Sequence, residues 1–196
     1  MSSTRRLPVS VVLVLALLSG GCAAHDDGGS GKATPRPSAA LDGPALTVDG
    51  GDGGTGLCLH HVRAPEDLTV FDDFLVASKP LTITGVRAVG VGDVLETPDG
   101  LAVPVVGRRP LGSGVVSWPV RKAPLRSLAK HLEWKSRTPL VGAHLDVQRA
   151  VMAFVHLRGG SGARLDGIDF DYRTDAGATG TVRSEKSIRF SRRGCG

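Results

Sequence analysis

The chain has 196 residues and a formal charge of +5, a length that suits one domain with appendages and is too short for two full domains. Aromatic residues make up only 4 %, which leaves few ring faces for gripping sugars or unpaired bases. The basic surplus is too small for a nucleic-acid footprint, which needs Lys and Arg clustered on one face.

Arg5 and Arg6 form a positive n-region, Val9 to Leu18 is an almost unbroken apolar run, and small residues lead into Cys22, the layout of an export leader. The run is too short to span a bilayer comfortably. Thr4-Arg5-Arg6 also carries a faint likeness to a twin-arginine signal, so the general secretory and twin-arginine routes both stay open. The stretch Leu18-Ser19-Gly20-Gly21-Cys22 resembles the lipobox of bacterial lipoproteins. In its leader and general layout the chain resembles uncharacterised lipoproteins of high-GC Gram-positive bacteria, and its excess of Arg over Lys with abundant Ala, Gly, Val and Asp is a bias typical of high-GC bacterial genomes. The resemblance implies that residues 1–21 are a signal peptide and that the Cys22 thiol carries palmitate-type acyl chains. It also places the mature chain on the extracytoplasmic face of the cell membrane. Each buried lipid methylene stabilises such an anchor by about 0.8 kcal/mol. Loss of Arg5 and Arg6 lowers the charge from +5 to +3, a mild surplus that suits a surface facing anionic lipids or wall polymers.

With Cys22 assigned to lipid, Cys58 and Cys195 remain, and an even pair in an oxidising compartment predicts one disulfide. It would fasten the end of the domain to one of its first strands, and the loop-entropy model assigns so long a closure about 5 kcal/mol. The alternative, a pair of thiolate metal ligands, lacks a CxxC spacing. Residues 22–44 are rich in Gly, Ser, Pro, Ala and Asp, with Thr34-Pro35-Arg36-Pro37 at their middle. They predict a disordered tether that holds residues 45–196 on the order of 25 Å from the bilayer.

Ala45 to Val48 is a strand candidate, and the glycine run behind it contains a G-x-G-x-x-G match at Gly51, Gly53 and Gly56. A dinucleotide fingerprint needs a helix to follow, whereas residues 57–63 read as a strand, so the run predicts a glycine hairpin. Asp49 and Asp52 lack the alternating spacing of a calcium loop. Further strands are predicted at 57–63, 68–78, 81–91, 101–106, 114–120, 147–157, 163–172, 180–183 and 187–190. Val151, Ala153, Val155 and Leu157 share one face of a central strand. Ile168, Phe170 and Tyr172 oppose Asp169, Asp171 and Arg173, which predicts one core face and one solvated face. Leu125, Leu128, Ala129 and Leu132 recur at helical spacing after Pro124, predicting one short helix across an end of the domain. The expected fold is all-β: an antiparallel, immunoglobulin-like β-sandwich with one short helix, closed by a single disulfide.

Sequences for the hydrolase elbow and for zinc or phosphate chemistry are absent: there is no G-x-S-x-G, H-E-x-x-H or P-loop. Gly112-Ser113-Gly114 and Gly160-Ser161-Gly162 read as turns. Histidine and methionine suit copper in exported proteins, which makes His60, His61, His144, Met152 and His156 the candidate metal ligands. On extended strands, however, His60 and His61 point to opposite faces, and Met152 and His156 lie well apart. Asp169 and Asp171 share a face where a carboxylate row binds Ca²⁺, serves as an acid/base pair, or simply guards an exposed strand. Trp118 and Trp134 flank the short helix and either line one binding rim or fill the core. The expected function is a membrane-anchored extracytoplasmic lipoprotein that binds or scaffolds a cell-envelope protein or wall polymer, without a cofactor and without nucleic acid. A copper chaperone or sensor is the alternative, and an unrecognised secreted hydrolase the second.

Overall fold

Strands in this chain arise where apolar residues alternate with polar ones between Gly, Pro and Asp breaks. The computed structural model describes residues 43–49, 56–60, 62, 64–92, 95–107, 114–124, 126–147 and 149–194. The expected signal peptide, Cys22 and nearly all of the expected tether, together with His61 and Cys195, lie outside the described residues. The chain divides after Ala40, and every described residue belongs to the second unit.

One sheet runs in the order β1 (Leu46–Asp49), β3 (Glu66–Ala77), β9 (Ala150–Gly159), β5 (Leu95–Pro104) and β7 (Thr138–Pro139). The strand β6 (Gly114–Ser117) shares the β1 edge of β3, further along the strand. The other sheet runs β2 (Leu57–His60), β11 (Thr179–Ser191), β10 (Arg164–Thr174), β4 (Leu81–Val91) and β8 (His144–Leu145). With β3, β9 and β5 in the places of strands B, E and D, and β4, β10 and β11 in those of C, F and G, this is the immunoglobulin-type strand order. The sandwich is antiparallel except at β2, which pairs in parallel with β11. That exception follows from the N-terminal segment being shared: β1 joins one sheet through β3, and β2 joins the other through β11.

Between the sheets lie Leu75, Val151, Ala153, Val155 and Leu157 from one side and Leu81, Ile83, Leu165, Ile168, Phe170 and Phe190 from the other, all buried. Burying each large side chain stabilises the fold by roughly 1.5–3 kcal/mol. The sheets approach closely at Gly159, where an added Cβ would collide with the Phe190 ring. Residues 180–183 and 187–190, expected as two strands, form one continuous β11. Between Leu165 and Gly167 the partner on β11 shifts from Ile188 to Glu185, three steps against two, so a bulge at Lys186-Ser187 opposite Asp166 carries the strand through its polar stretch.

A second apolar cluster covers the outer face of the first sheet. Phe71, Phe74, Val103, Met152 and Phe154 meet Leu128 and Leu132, with Trp134 packed against them. The helix expected over an end of the sandwich is therefore a single four-residue turn, α1 (Arg126–Ala129), followed by a 3-10 turn at Trp134–Ser136, and it lies over a sheet face. The physical cause is β9, whose outward residues Met152 and Phe154 are as apolar as its inward ones and need a cover. Backbone bonds hold the cover on β5: Glu133 N–H donates to Pro104 O (2.9 Å) and Val106 N–H to His131 O (2.8 Å). Among the described residues, no helix is long and apolar enough to cross a membrane.

Candidate functional site: four polar features of the sandwich

The histidine and methionine set is dispersed. Met152 is fully buried in the outer apolar cluster, so its thioether is a packing group and not a metal ligand. His60 ends β2 on the second sheet, and His61 is outside the described residues. His144 is exposed on β8, with Nε2 3.6 Å from Asp146 Oδ1 and Nδ1 3.9 Å from Asp175 Oδ1. Among the described residues, no three His, Cys, Asp or Glu side chains converge in a way that holds a metal ion.

His156 belongs to a different arrangement, at the upper edge of the outer apolar cluster. It is the next outward residue of β9 after Phe154, and in register it lies between Thr69 of β3 and Asp99 of β5. Its Nε2 is 3.1 Å from Asp67 Oδ1, a carboxylate that can only accept when ionised. The Trp118 indole stacks on the imidazole at 4.4 Å with 6° between planes, and Trp118 N–H donates to Asp67 O (3.2 Å). Beside this group Thr69 Oγ1 is buried without a hydrogen-bond partner in the protein. A histidine, a carboxylate and an indole can hold a proton and pin the chain at the end of β6. The second tryptophan packs edge-on against Phe154 (5.2 Å, 83°), and its Nε1 donates to Arg121 O (3.0 Å). Trp118 and Trp134 thus cover successive outward residues of β9 and act in packing.

The expected carboxylate row on β10 is occupied by arginine. Cross-strand register sets Asp169 between Arg87 of β4 and Arg183 of β11. Arg183 donates through Nε (2.7 Å) and Nη2 (3.1 Å) to the two oxygens of Asp169, a side chain that is buried and not solvated as the alternation predicts. The pairing holds the Arg183 guanidinium above its ordinary pKa. Arg87 donates to Asp171 through Nε (3.2 Å) and Nη2 (3.0 Å), and Thr181 Oγ1 donates to Asp171 Oδ1 (2.6 Å). The Thr181 hydroxyl first, and then Arg87, hold the Asp171 carboxyl below its ordinary pKa. With their oxygens engaged by guanidinium and hydroxyl donors, neither aspartate is available as a calcium ligand or a proton shuttle.

One concave feature was not legible in the chain order. At the C-terminal end of β11 a cleft of about 520 Å³ is lined by Arg164, Arg189, Arg192 and Arg193, with Val91 and Ser161 at its rim. A smaller hollow of about 240 Å³ beside Cys58 and Ser187 shares Arg189 with it. Asp166 engages Arg164 through Nε (2.6 Å) and Nη2 (3.2 Å), raising the guanidinium pKa. Among the described residues no carboxylate pairs with Arg189, Arg192 or Arg193. The domain begins at the other pole: Ser78 N–H donates to Ala45 O, and Asp175 N–H to Pro80 O, beside the start of β11. Thirteen residues of β11 at about 3.3 Å each put roughly 40 Å between the two poles. The chain matches no known family model and no curated protein.

Proposed function

We propose that this chain is a membrane-anchored extracytoplasmic lipoprotein whose β-sandwich binds a component of the cell envelope. The observation that carries the binding half of the reading is the arginine cleft, a concave, charge-unbalanced surface at the pole remote from Ala45. The anchoring half rests on the Leu18 to Cys22 lipobox likeness and the glycine- and proline-rich residues that follow it. No convergent nucleophile and base accompany the cleft among the described residues, and rigid sandwiches commonly serve as binding modules.

The Cys58–Cys195 disulfide belongs to the same proposal. Cys58 is not a free thiol, and its strand runs alongside the last residues of β11. After that strand the chain turns, with Ser191 Oγ donating to Gly194 O (2.6 Å) and Gly194 at φ +122°, directly before Cys195. The turn breaks the run of the strand just before Cys195.

Metabolic labelling with an alkyne fatty acid tests the anchor. The full chain is expected to take up label and to sediment with membranes, while Cys22→Ser is expected to lose the label and appear in the medium. An unlabelled protein found in the cytosol would overturn the reading. Alkylation before and after reduction, read by mass, is expected to add two tags only after reduction.

A further inference from the structure

We propose that the arginine cleft is a binding site for a linear polyol-phosphate chain, a polymer of small alcohols joined by phosphodiesters and carrying no bases. This deepens the envelope-binding reading and rests on it only for where such a polymer is met.

The cleft is electrostatically unfavourable for the fold that contains it. Arg164 and Arg189 are direct cross-strand partners on β10 and β11, a like-charge pair that weakens a ladder. Arg192 and Arg193 add two more guanidiniums within the same concavity, and Asp166 answers only Arg164. A few residues away on the same strands, each aspartate meets an arginine fork: Asp169 with Arg183 and Asp171 with Arg87. The sheet thus balances its charges along β10 and leaves a surplus at one end. A bound anion relieves that repulsion.

The chemistry of the surplus selects among anions. A lone carboxylate is satisfied by one planar fork, as Asp166 is by Arg164. A tetrahedral phosphodiester turns its free oxygens toward donors from different directions, which matches guanidiniums reaching in from β10, β11 and the turn after it. The smaller hollow joined through Arg189 continues the surface past Ser187 and Cys58 to Gly56, a trough for a chain instead of a cup for one ion. A single-stranded nucleic acid is gripped by aromatic faces that stack its bases, yet the one ring lining the cleft among the described residues, Phe190, is buried in the core. A lipid headgroup layer would need a cluster of apolar side chains to insert, and among the described residues the trough exposes two, Val91 in the cleft and Leu57 in the hollow.

The test is calorimetric titration of the full chain carrying Cys22→Ser with polyglycerol phosphate at about 50 mM salt, where phosphate contacts are least screened. Inorganic phosphate, polyglutamate, a single-stranded oligonucleotide and phosphatidylglycerol vesicles are run beside it. Binding to polyglycerol phosphate is expected, falling steeply as salt rises. Each guanidinium removed in Arg189→Gln or Arg192→Gln is expected to cost about tenfold. Arg87→Gln, outside the cleft, is expected to leave affinity unchanged, and Arg192→Lys to retain part of it. Should Arg189→Gln not fold, the Arg192→Gln/Arg193→Gln pair probes the same site beyond the strand pairing. The proposal is overturned if polyglycerol phosphate does not bind, or if Arg87→Gln weakens binding as much as the cleft variants. It is equally overturned if polyglutamate, the oligonucleotide or the vesicles bind as tightly. A lipid-labelled protein that ignores the polymer would defeat this inference alone, and a cytosolic protein that binds it would defeat the anchoring alone.

Discussion

The strands β9 and β10 are neighbours in sequence and nearly equal in length, yet they close their outer faces by opposite means. The outward residues of β9 begin with Met152 and Phe154, and the segment carrying Leu128, Leu132 and Trp134 folds over them as a third layer. The outward residues of β10 include Asp169 and Asp171, and those are closed by Arg183, Arg87 and Thr181 from the adjacent strands. Apolar burial on the first face gains from every methylene removed from water and is not screened by salt. The charged face gains from a few forked hydrogen bonds whose worth depends on how dry each one is. One sandwich therefore has a hard side and a screened side, and the two are expected to respond differently to mutation, salt and acid.

The largest effect is expected at the centre of the hard side. Phe154 is fully buried, stacked against Phe71 (5.5 Å) and edge-on to Trp134. Phe154→Ala is expected to cost about 3–5 kcal/mol by urea unfolding. Leu128 sits in the cover alone, fully buried on α1. Leu128→Ala is expected to cost about 2–4 kcal/mol. A loss under about 1 kcal/mol there would show the third layer to be a surface loop, and the contrast would collapse. On the screened side the strongest single point is Asp169, buried and forked by Arg183. Asp169→Asn is expected to cost about 1–2 kcal/mol, because it removes the charge and one acceptor from a fork whose carboxylate is buried while its Arg183 partner is half exposed.

The strands could be read from the chain because alternation and turn residues are local signals. The interior faces of β9 and β10 carry Val151, Val155, Ile168 and Phe170 where the alternation puts them. What could not be read was pairing across distance. The spacing of Leu128 and Leu132 announces an apolar face but not the surface it covers, so the cover was expected at an end of the sandwich. Arg87 and Arg183 lie on strands far from Asp169 in sequence, which is why a paired ladder looked like a solvated carboxylate row. Asp67 and His156 meet only because β3 and β9 are antiparallel neighbours, and the same is true of Arg164 and Arg189 on β10 and β11. Ser184-Glu185-Lys186 hid the continuity of β11, since a bulge leaves no mark on composition.

The smallest effect, and the one that most sharply separates the two faces, is the response to acid. Asp171 is about one-third exposed, and its partner Arg87 more so, so Asp171→Asn at neutral pH is expected to cost no more than about 1 kcal/mol. Its signature lies in the pH dependence. The Thr181 and Arg87 hydrogen bonds hold the folded-state pKa below the unfolded value, which is about 3.9 for an aspartate. The ionised form is therefore favoured by the fold. The stability it contributes is fully present above about pH 4 and is lost as pH falls through the lower folded value. Wild type and Asp171→Asn are expected to differ by a constant amount from pH 7 to about pH 5, then to converge on further acidification. Phe154→Ala and Leu128→Ala, whose losses involve no proton, are expected to run parallel to wild type throughout. If Asp171→Asn also stays parallel into acid, the ladder does not hold its carboxylate ionised, and the charged face contributes to this fold by covering it alone.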